Sequence, residues 1–330
     1  MGRSLERGIL NIASIYEPIQ QEMARVEESL SGVSQVEPPI LSRLLEHVLG
    51  DGGKRIRPAI ALLCGKLGRG KPELLVPVAT AVELLHTATL VHDDAVDNSP
   101  IRRGRPTVSA TWGDVPAVLL GDYLFANSAR ITSEVGNLTV MRLFAEAIMT
   151  ISTGELMERF GAYDWTQGRE QYYQRIARKT ASLFSLAAEV GAVLSNAPRG
   201  EIEAPRRYGY NLGMAFQVVD DILDFIGDEA EMGKPVGGDL AQGTLTLPAM
   251  ILMARYPEDN PIRGIYLGGQ NEAKVKQAIE AINNFRIIEE CYLVSKDFCS
   301  RACQALKDLP DSLPRRSLLD LAEYVVERRR

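Results

Sequence analysis

Six aspartates carry the clearest chemical signal in the chain. Asp93, Asp94 and Asp97 fall in HTATLVHDDAVDNSPIRRGRP, and Asp220, Asp221 and Asp224 fall in QVVDDILDFIGD. Each trio has i, i+1, i+4 spacing, which at about 100° per residue places three carboxylates on one side of a helix. The residues before them, TATLV and MAFQVV, are mostly apolar. These are therefore inward-leaning helices that end in acid, not solvated faces. Like charges disfavour one another's ionisation. The first trio also stands in the last turn before Ser99-Pro100, where the helix dipole is negative. A hard divalent cation removes both penalties, and carboxylate oxygens are the ligands Mg²⁺ takes. One trio alone reads as a solvated acidic helix end. Its repetition favours two metal-carrying walls that face each other across a cavity with an anion between them.

Basic residues suit that anion. GGKRIRP (52–58) is a glycine turn that presents Lys54, Arg55 and Arg57 beside a helix start, a phosphate-binding arrangement. IRRGRP (101–106) follows the first trio with Arg102, Arg103 and Arg105, and Lys179 and Lys234 are further candidates. His86 lies seven residues before Asp93, about 20° away in helical projection, so it shares that face. Its bland reading is a hydrogen-bonded core histidine. His92 reads as a neighbour of the aspartates, not a ligand.

Long helices must position these groups. In PILSRLLEHVLG the apolar residues Ile40, Leu41, Leu44, Leu45, Val48 and Leu49 form one buried stripe. Similar patterns predict helices over about 72–97, 115–135, 138–161, 168–195, 201–226, 272–306 and 315–328. Loops are expected at 196–205, 227–248 and 256–270, the second long enough to be a lid or binding loop. Strand alternation with hairpin turns is nearly absent, so the fold class is all-α. The chain has 330 residues, 45% hydrophobic and 24% charged, with a net charge of -6, which argues against nucleic acid as a partner. No window reaches about 18 uninterrupted apolar residues, and the first residues lack a signal-peptide pattern. A transmembrane segment is not expected. The four cysteines form no CxxC pair and read as reduced thiols, so the cytoplasm is the default address.

GGKRIRP, LLHTATLVHDDAVDNSPIRRGRPT, GDYL, GE (154–155), KT (179–180), FQVVDDILDF and GKPVGGDL occur in the order seen in trans-isoprenyl diphosphate (polyprenyl) synthases. The chain resembles that family over roughly residues 40–250. The resemblance implies one all-α domain over 1–330, a bundle of long helices around a central cavity, and a homodimer. It implies head-to-tail condensation of isopentenyl diphosphate onto an allylic diphosphate, with Mg²⁺ ions, about three to a site. Position by position, it makes Asp93, Asp97 and Asp220 direct metal ligands, and Asp94, Asp221 and Asp224 ligands or supports. Lys54, Arg57, His86 and Arg103 become the isopentenyl diphosphate pocket. Arg102, Lys179, Thr180, Gln217 and Lys234 become the allylic diphosphate clamp. The metal and the cations stabilise charge on the departing diphosphate. An apolar wall shelters the allylic cation, and the proton is lost to the departing diphosphate. One position departs from the pattern: Thr244 stands where many members carry lysine, which leaves Lys179 and Lys234 to carry more of the clamp.

Product length follows from the residues before the first trio. The resemblance assigns chain-length control to Ala88 and Thr89, both small here. Thr89 projects within about 40° of Asp93, and Val82, about 16 Å deeper, within about 20°, whereas Ala88 projects about 140° off. The floor is then sought on another helix, among Phe144, Met149, Leu156, Met157 and Phe160. A farnesyl or geranylgeranyl primer and a C30–C40 product are expected, with a C20 (geranylgeranyl) product as the alternative. A product of that length suggests peripheral membrane contact for its release. An HD-type phosphohydrolase built on His47, His92, Asp93 and Asp220 leaves Asp97, Asp221 and Asp224 without a role. A terpene cyclase usually has another metal motif in place of the second trio. A noncatalytic subunit of a heteromeric synthase would be expected to lack one trio.

Overall fold

The computed structural model describes residues 11–50, 52–227, 236–258, 260–268, 272–284 and 286–328. The main helices are α1 (Gln20–Val33), α2 (Pro39–Leu49), α3 (Ile56–Lys66), α4 (Pro72–Val96), α5 (Asp114–Glu134), α6 (Leu138–Gly161) and α7 (Arg169–Ile176). They continue with α8 (Ser182–Leu194), α9 (Arg199–Ile226), α10 (Leu247–Arg255), α11 (Glu272–Asn284), α12 (Ile287–Ala305) and α13 (Leu313–Glu327). The fold is all-α, as its periodicity predicts. Two-residue strands at Ile101–Arg102 and Arg105–Pro106 are the exception among the described residues. They pair around Arg103 and Gly104, whose φ angles of 49° and 77° supply the left-handed turn a two-residue hairpin needs.

α4 packs on α5, α8 packs on α3 and α9, and α9 packs on α12. α4 opens with Pro72 in its first turn, where a missing N–H costs nothing. It is long and apolar enough to cross a bilayer, but 72% of that window is buried inside the fold, so it is a core helix. It ends at Asp97, whose N–H donates to the Asp93 carbonyl (2.8 Å), and Asn98 follows in the left-handed region (φ 51°). One apolar core gathers around α3, α4 and α8, and a second around α9, α10 and α12.

Several boundaries differ from the sequence reading. The expected helix 168–195 is interrupted by a π-helical turn, Ala177–Ala181, which contains Lys179 and Thr180. A π-turn adds a residue to one turn, and such turns gather at functional sites. The expected loop 196–205 is short, because α9 begins at Arg199 and carries Pro205 inside it. The expected helix 272–306 divides into α11 and α12, with Arg286 left-handed (φ 56°) between them. The region 256–270 holds the short helix Pro261–Gly268, and 227–248 holds Gly238–Ala241 and the start of α10. The sequence reading offered no helix before residue 40, yet α1 buries Val26 and Leu30.

Arg55 shows why. The sequence groups it with the anion-binding cations, but it is 8% exposed and left-handed (φ 48°). Its Nε donates to Glu27 on α1 (2.7 Å) and its guanidinium to Glu83 on α4 (2.8 Å) and to the Leu49 carbonyl (3.0 Å). Arg55 thus ties α1, the end of α2 and α4 together at the mouth of α3. Arg55→Ala leaves Glu83 buried without its cation. The expected loss is about 3–5 kcal/mol, seen as a lower urea midpoint at unchanged slope. A loss under about 1 kcal/mol contradicts this role.

Candidate active site

A cavity of about 1690 Å³ opens between the C-terminal ends of α4 and α9. Asp93 and Asp97 line it from α4, and Asp220 and Asp221 line it from α9. The two walls therefore face one space. Each trio is divided between two duties. Asp94 is 6% exposed, and Arg102 Nε donates to both its oxygens (2.8 and 2.9 Å). Asp224 is buried as well; its Oδ2 accepts the Asp239 N–H (3.2 Å) and its carbonyl accepts the Gly237 N–H (2.7 Å). So these carboxylates hold the 101–106 hairpin and the segment after residue 235 in position. The expectation that all three carboxylates of a trio share one open face gives way here, because their neighbours supply donors.

Burial is the dominant charge effect. It pushes Asp93 up to about 6 against the pull of Lys179 and Arg102. It pushes Asp221 up to about 7, opposed by hydrogen bonds from Tyr172 and Gln217. Asp97 is raised by the same cause. Cavity-lining carboxylates whose charge burial disfavours fit a hard divalent cation, which would stabilise the ionised form. Yet among the described residues no three such donors converge closely enough to hold an ion by themselves. A cation between the walls needs further oxygens, which water or a diphosphate provides.

Lys54, Arg57, His86 and Arg103 converge on the same cavity. Arg57 stacks on Phe184 and Phe216 (4.5 and 5.6 Å to the ring centroids) and donates to His86 Nε2 (2.9 Å). Burial, aided by Arg57, Arg103 and Arg102, holds the His86 pKa well below its ordinary value, so the ring is neutral and accepts. Burial likewise pushes Arg57 down to about 10, with Arg328 and Arg103 adding to it. Arg103 lies against Gly53, where a Cβ would sit 2.9 Å from its guanidinium, so glycine lets it approach. Lys54 rests over the Tyr324 ring (5.5 Å), and its carbonyl accepts from the Tyr16 hydroxyl (2.7 Å).

On the opposite side, Lys179 Nζ sits between Glu155 (2.8 Å) and Glu158 (2.6 Å) of α6. Burial works against its charge, but Glu158, Asp93 and Glu155 raise its pKa. Gly154 permits this contact: a Cβ there would lie 2.7 Å from the Lys179 nitrogen of the backbone. Thr180 Oγ1 donates to Gln217 (2.6 Å), Gln217 donates to Asp221 (2.9 Å), and the Tyr172 hydroxyl donates to the other Asp221 oxygen (2.7 Å). Lys179, Thr180 and Gln217 line the cavity together, as does Arg102 beside its partner Asp94. Lys234 lies outside the described residues.

Sequence reasoning missed Glu155, Glu158, Arg175 and Arg328. The GE motif contains Glu155, and Glu158 stands three residues further along the same helix, outside any motif. Nothing local marks Arg328, which donates to Asp220 (2.6 Å) and to the Phe216 carbonyl (2.8 Å) from beyond α13. Thr89 lines the cavity, whereas Ala88 and Val82 are wholly buried in the core. Met149, Leu156 and Phe160 are 63%, 56% and 84% exposed, and Phe144 lies in the core. The first three face outward and Phe144 packs in the core, so none of these four lines the cavity. His47 and His92 bond to the Pro106 and Val118 carbonyls, away from Asp220. The phosphohydrolase arrangement is therefore absent among the described residues.

Two carboxylate walls and a basic pocket thus share one cavity in an all-α scaffold. Residues 38–282 match the family model described as polyprenyl synthetase. A heptaprenyl diphosphate synthase component 2 from Geobacillus stearothermophilus is 37% identical over 97% of this chain and 99% of that protein. The octaprenyl diphosphate synthase of Escherichia coli is 33% identical over 97% and 100%. A Caulobacter crescentus polyprenyl synthase, crystallised with calcium and isoprenyl diphosphate, superposes with a TM-score of 0.93 at 33% identity over 97% and 98% of the chains. The chain belongs to the polyprenyl synthetase family and is a prenyltransferase. The family works with a divalent cation on isopentenyl and allylic diphosphates.

The raised carboxylates give a stability test. Asp93, Asp221 and Glu155 have folded pKa values of about 6, 7 and 7, against 3.8, 3.8 and 4.5 ordinarily. Across that window the folded state holds more protons than the unfolded state, so stability falls as pH rises. Cation-free protein is expected to lose Tm between about pH 5 and pH 8. Mg²⁺ with pyrophosphate should recover more at the higher pH, read by calorimetry. An equal gain at both pH values contradicts the charge account.

Proposed function

We propose that this enzyme is a trans-polyprenyl diphosphate synthase making a C30–C40 product from farnesyl or geranylgeranyl diphosphate. The reaction joins isopentenyl diphosphate to the allylic primer head to tail. The carrying observation is that both carboxylate walls and the Lys54–Arg57–His86–Arg103 pocket open on one cavity. Product length is supported by the small Thr89 at that cavity and by relatives named for heptaprenyl and octaprenyl products.

The residues divide the work. Lys54, Arg57 and Arg103 hold the isopentenyl diphosphate, and neutral His86 fixes Arg57. Lys179, Thr180 and Gln217 face the allylic diphosphate, and Arg102 fixes Asp94. Asp93, Asp97 and Asp220 would hold Mg²⁺, about three ions to a site, with Asp221 as a further ligand or support. Bound Mg²⁺ would neutralise charge growing on the leaving diphosphate. Leu90, Leu183 and Phe216 present apolar surface to the cavity and keep water from the allylic cation while the isopentenyl double bond attacks. The C–O bond to the diphosphate breaks, the new C–C bond forms, and a proton leaves to the departing diphosphate.

In this reading the chain pairs with a second copy through α5 and α6. Val118 and Leu119 on α5, and Met149, Leu156 and Phe160 on α6, are large, apolar and exposed. The enzyme works in the cytoplasm and meets a membrane surface only to release its apolar product. A second reading rests on the relative named as component 2, a name that implies a partner subunit. Here the chain is one subunit of a heteromeric synthase and does not elongate a primer without its partner.

The test is to incubate the purified chain with Mg²⁺, farnesyl diphosphate and labelled isopentenyl diphosphate, then to size the products. A C30–C40 ladder is expected, and Asp93→Ala or Asp220→Ala should each cost about three orders of magnitude or more. Products that stop at C20 remove the chain-length proposal. No elongation from any primer favours the partner-dependent reading. Near wild-type turnover from either aspartate variant contradicts the two-wall site. For the dimer, Leu119→Glu should turn a sedimenting dimer into a monomer; unchanged sedimentation excludes that face.

A further inference from the structure

Arg175 occupies an unusual electrostatic position. It stands on α7 just before the π-turn, is 4% exposed, and belongs to the cavity wall together with Thr244 and Thr246. Its guanidinium donates to the carbonyl of Leu245, between those two threonines (2.7 Å), and weakly to Gln167 (3.4 Å). Both acceptors are neutral. Its Nε lies 3.4 Å from Glu158 without hydrogen-bond geometry and has no hydrogen-bond partner. Glu158 is already engaged by Lys179 at 2.6 Å, and both oxygens of Asp221, the other acid whose charge Arg175 reaches, accept from Tyr172 and Gln217. A buried guanidinium is costly unless a counter-charge is held against it. Arg175 has only a shared one.

Thr244, where the resemblance expects a lysine, is neutral. Among the described residues the lysines that line this side of the cavity are Lys179, engaged by two glutamates, and Lys276 on α11. We infer that Arg175 supplies a further cation on this side: from beneath the 244–246 segment it positions and electrostatically anchors the allylic diphosphate beside the neutral Thr244. Arg175 is a positioning residue acting through the Leu245 carbonyl and its own field. The inference rests on the allylic diphosphate lying between the two walls. It deepens that reading by assigning a further buried charge to the allylic side of the site. A buried cation behind a neutral threonine attracts the diphosphate without contributing a mobile side chain to the mouth of the site.

The experiment compares wild type, Arg175→Gln, Thr244→Lys and the double variant. Arg175→Gln removes the charge and keeps an N–H donor for Leu245. It should raise KM for the allylic primer about 10- to 100-fold, with KM for isopentenyl diphosphate unchanged. Calorimetry with Mg²⁺ and inorganic pyrophosphate, without any prenyl substrate, should show a parallel fall in affinity. Thr244→Lys in the Arg175→Gln background should recover both. If the allylic KM and pyrophosphate affinity of Arg175→Gln match wild type, the inference is wrong. If Tm falls, both parameters worsen and Thr244→Lys recovers neither, Arg175 is a strut, and the inference is also wrong. A wild-type enzyme that binds pyrophosphate yet elongates no primer would instead count against the functional reading.

Discussion

Confining negative charge within a buried space is the constraint on which the rest of this structure depends. Asp93, Asp97, Asp220 and Asp221 border one cavity, and burial raises Asp93 and Asp221 to about 6 and 7. Two helices end there in acid, which their neighbours must hold in place against mutual repulsion. The apolar bulk of α4 and the packing of α9 on α8 and α12 provide the rigid framework. The remaining carboxylates of each trio, Asp94 and Asp224, accept from Arg102 and from the Asp239 N–H and so tie the walls to neighbouring segments.

The cations are graded by how firmly they are held. Arg55 is fully engaged and belongs to the fold. Arg102 is committed to Asp94, and Lys179 to two glutamates. Arg57 is buried against aromatic rings with a neutral histidine as its partner, so its charge is available to an anion. Arg328 bonds to Asp220, which is also the wall that would receive a cation. The site is therefore an arrangement of charges whose balance changes when a diphosphate and its metal enter together.

Much of this was legible in sequence, for reasons that differ by residue. The doubled trio was visible because its spacing matches the helical repeat, and GGKRIRP because a glycine turn beside cations has few other uses. The all-α class followed from periodicity. Division of labour within a trio was not legible: Asp93 and Asp94 are adjacent and chemically identical, and only the hairpin folding back with Arg102 separates them. The π-turn at Ala177–Ala181 was hidden because apolar spacing continues through it. Arg175 and Arg328 reach the site from distant elements, so no local pattern marks them. Met149, Leu156 and Phe160 misled because a stripe facing outward has the same spacing as one facing in.

The central claim is that the two walls act as one site, completed by a diphosphate. Titration calorimetry of Mg²⁺ into the purified protein, with and without inorganic pyrophosphate, tests it most directly when Asp93→Asn and Asp220→Asn are run beside wild type. The account predicts weak binding of Mg²⁺ alone, much tighter binding with pyrophosphate present, and loss of that gain in either variant. Tight binding of Mg²⁺ alone, or a pyrophosphate-dependent gain that survives removal of one wall, would contradict it.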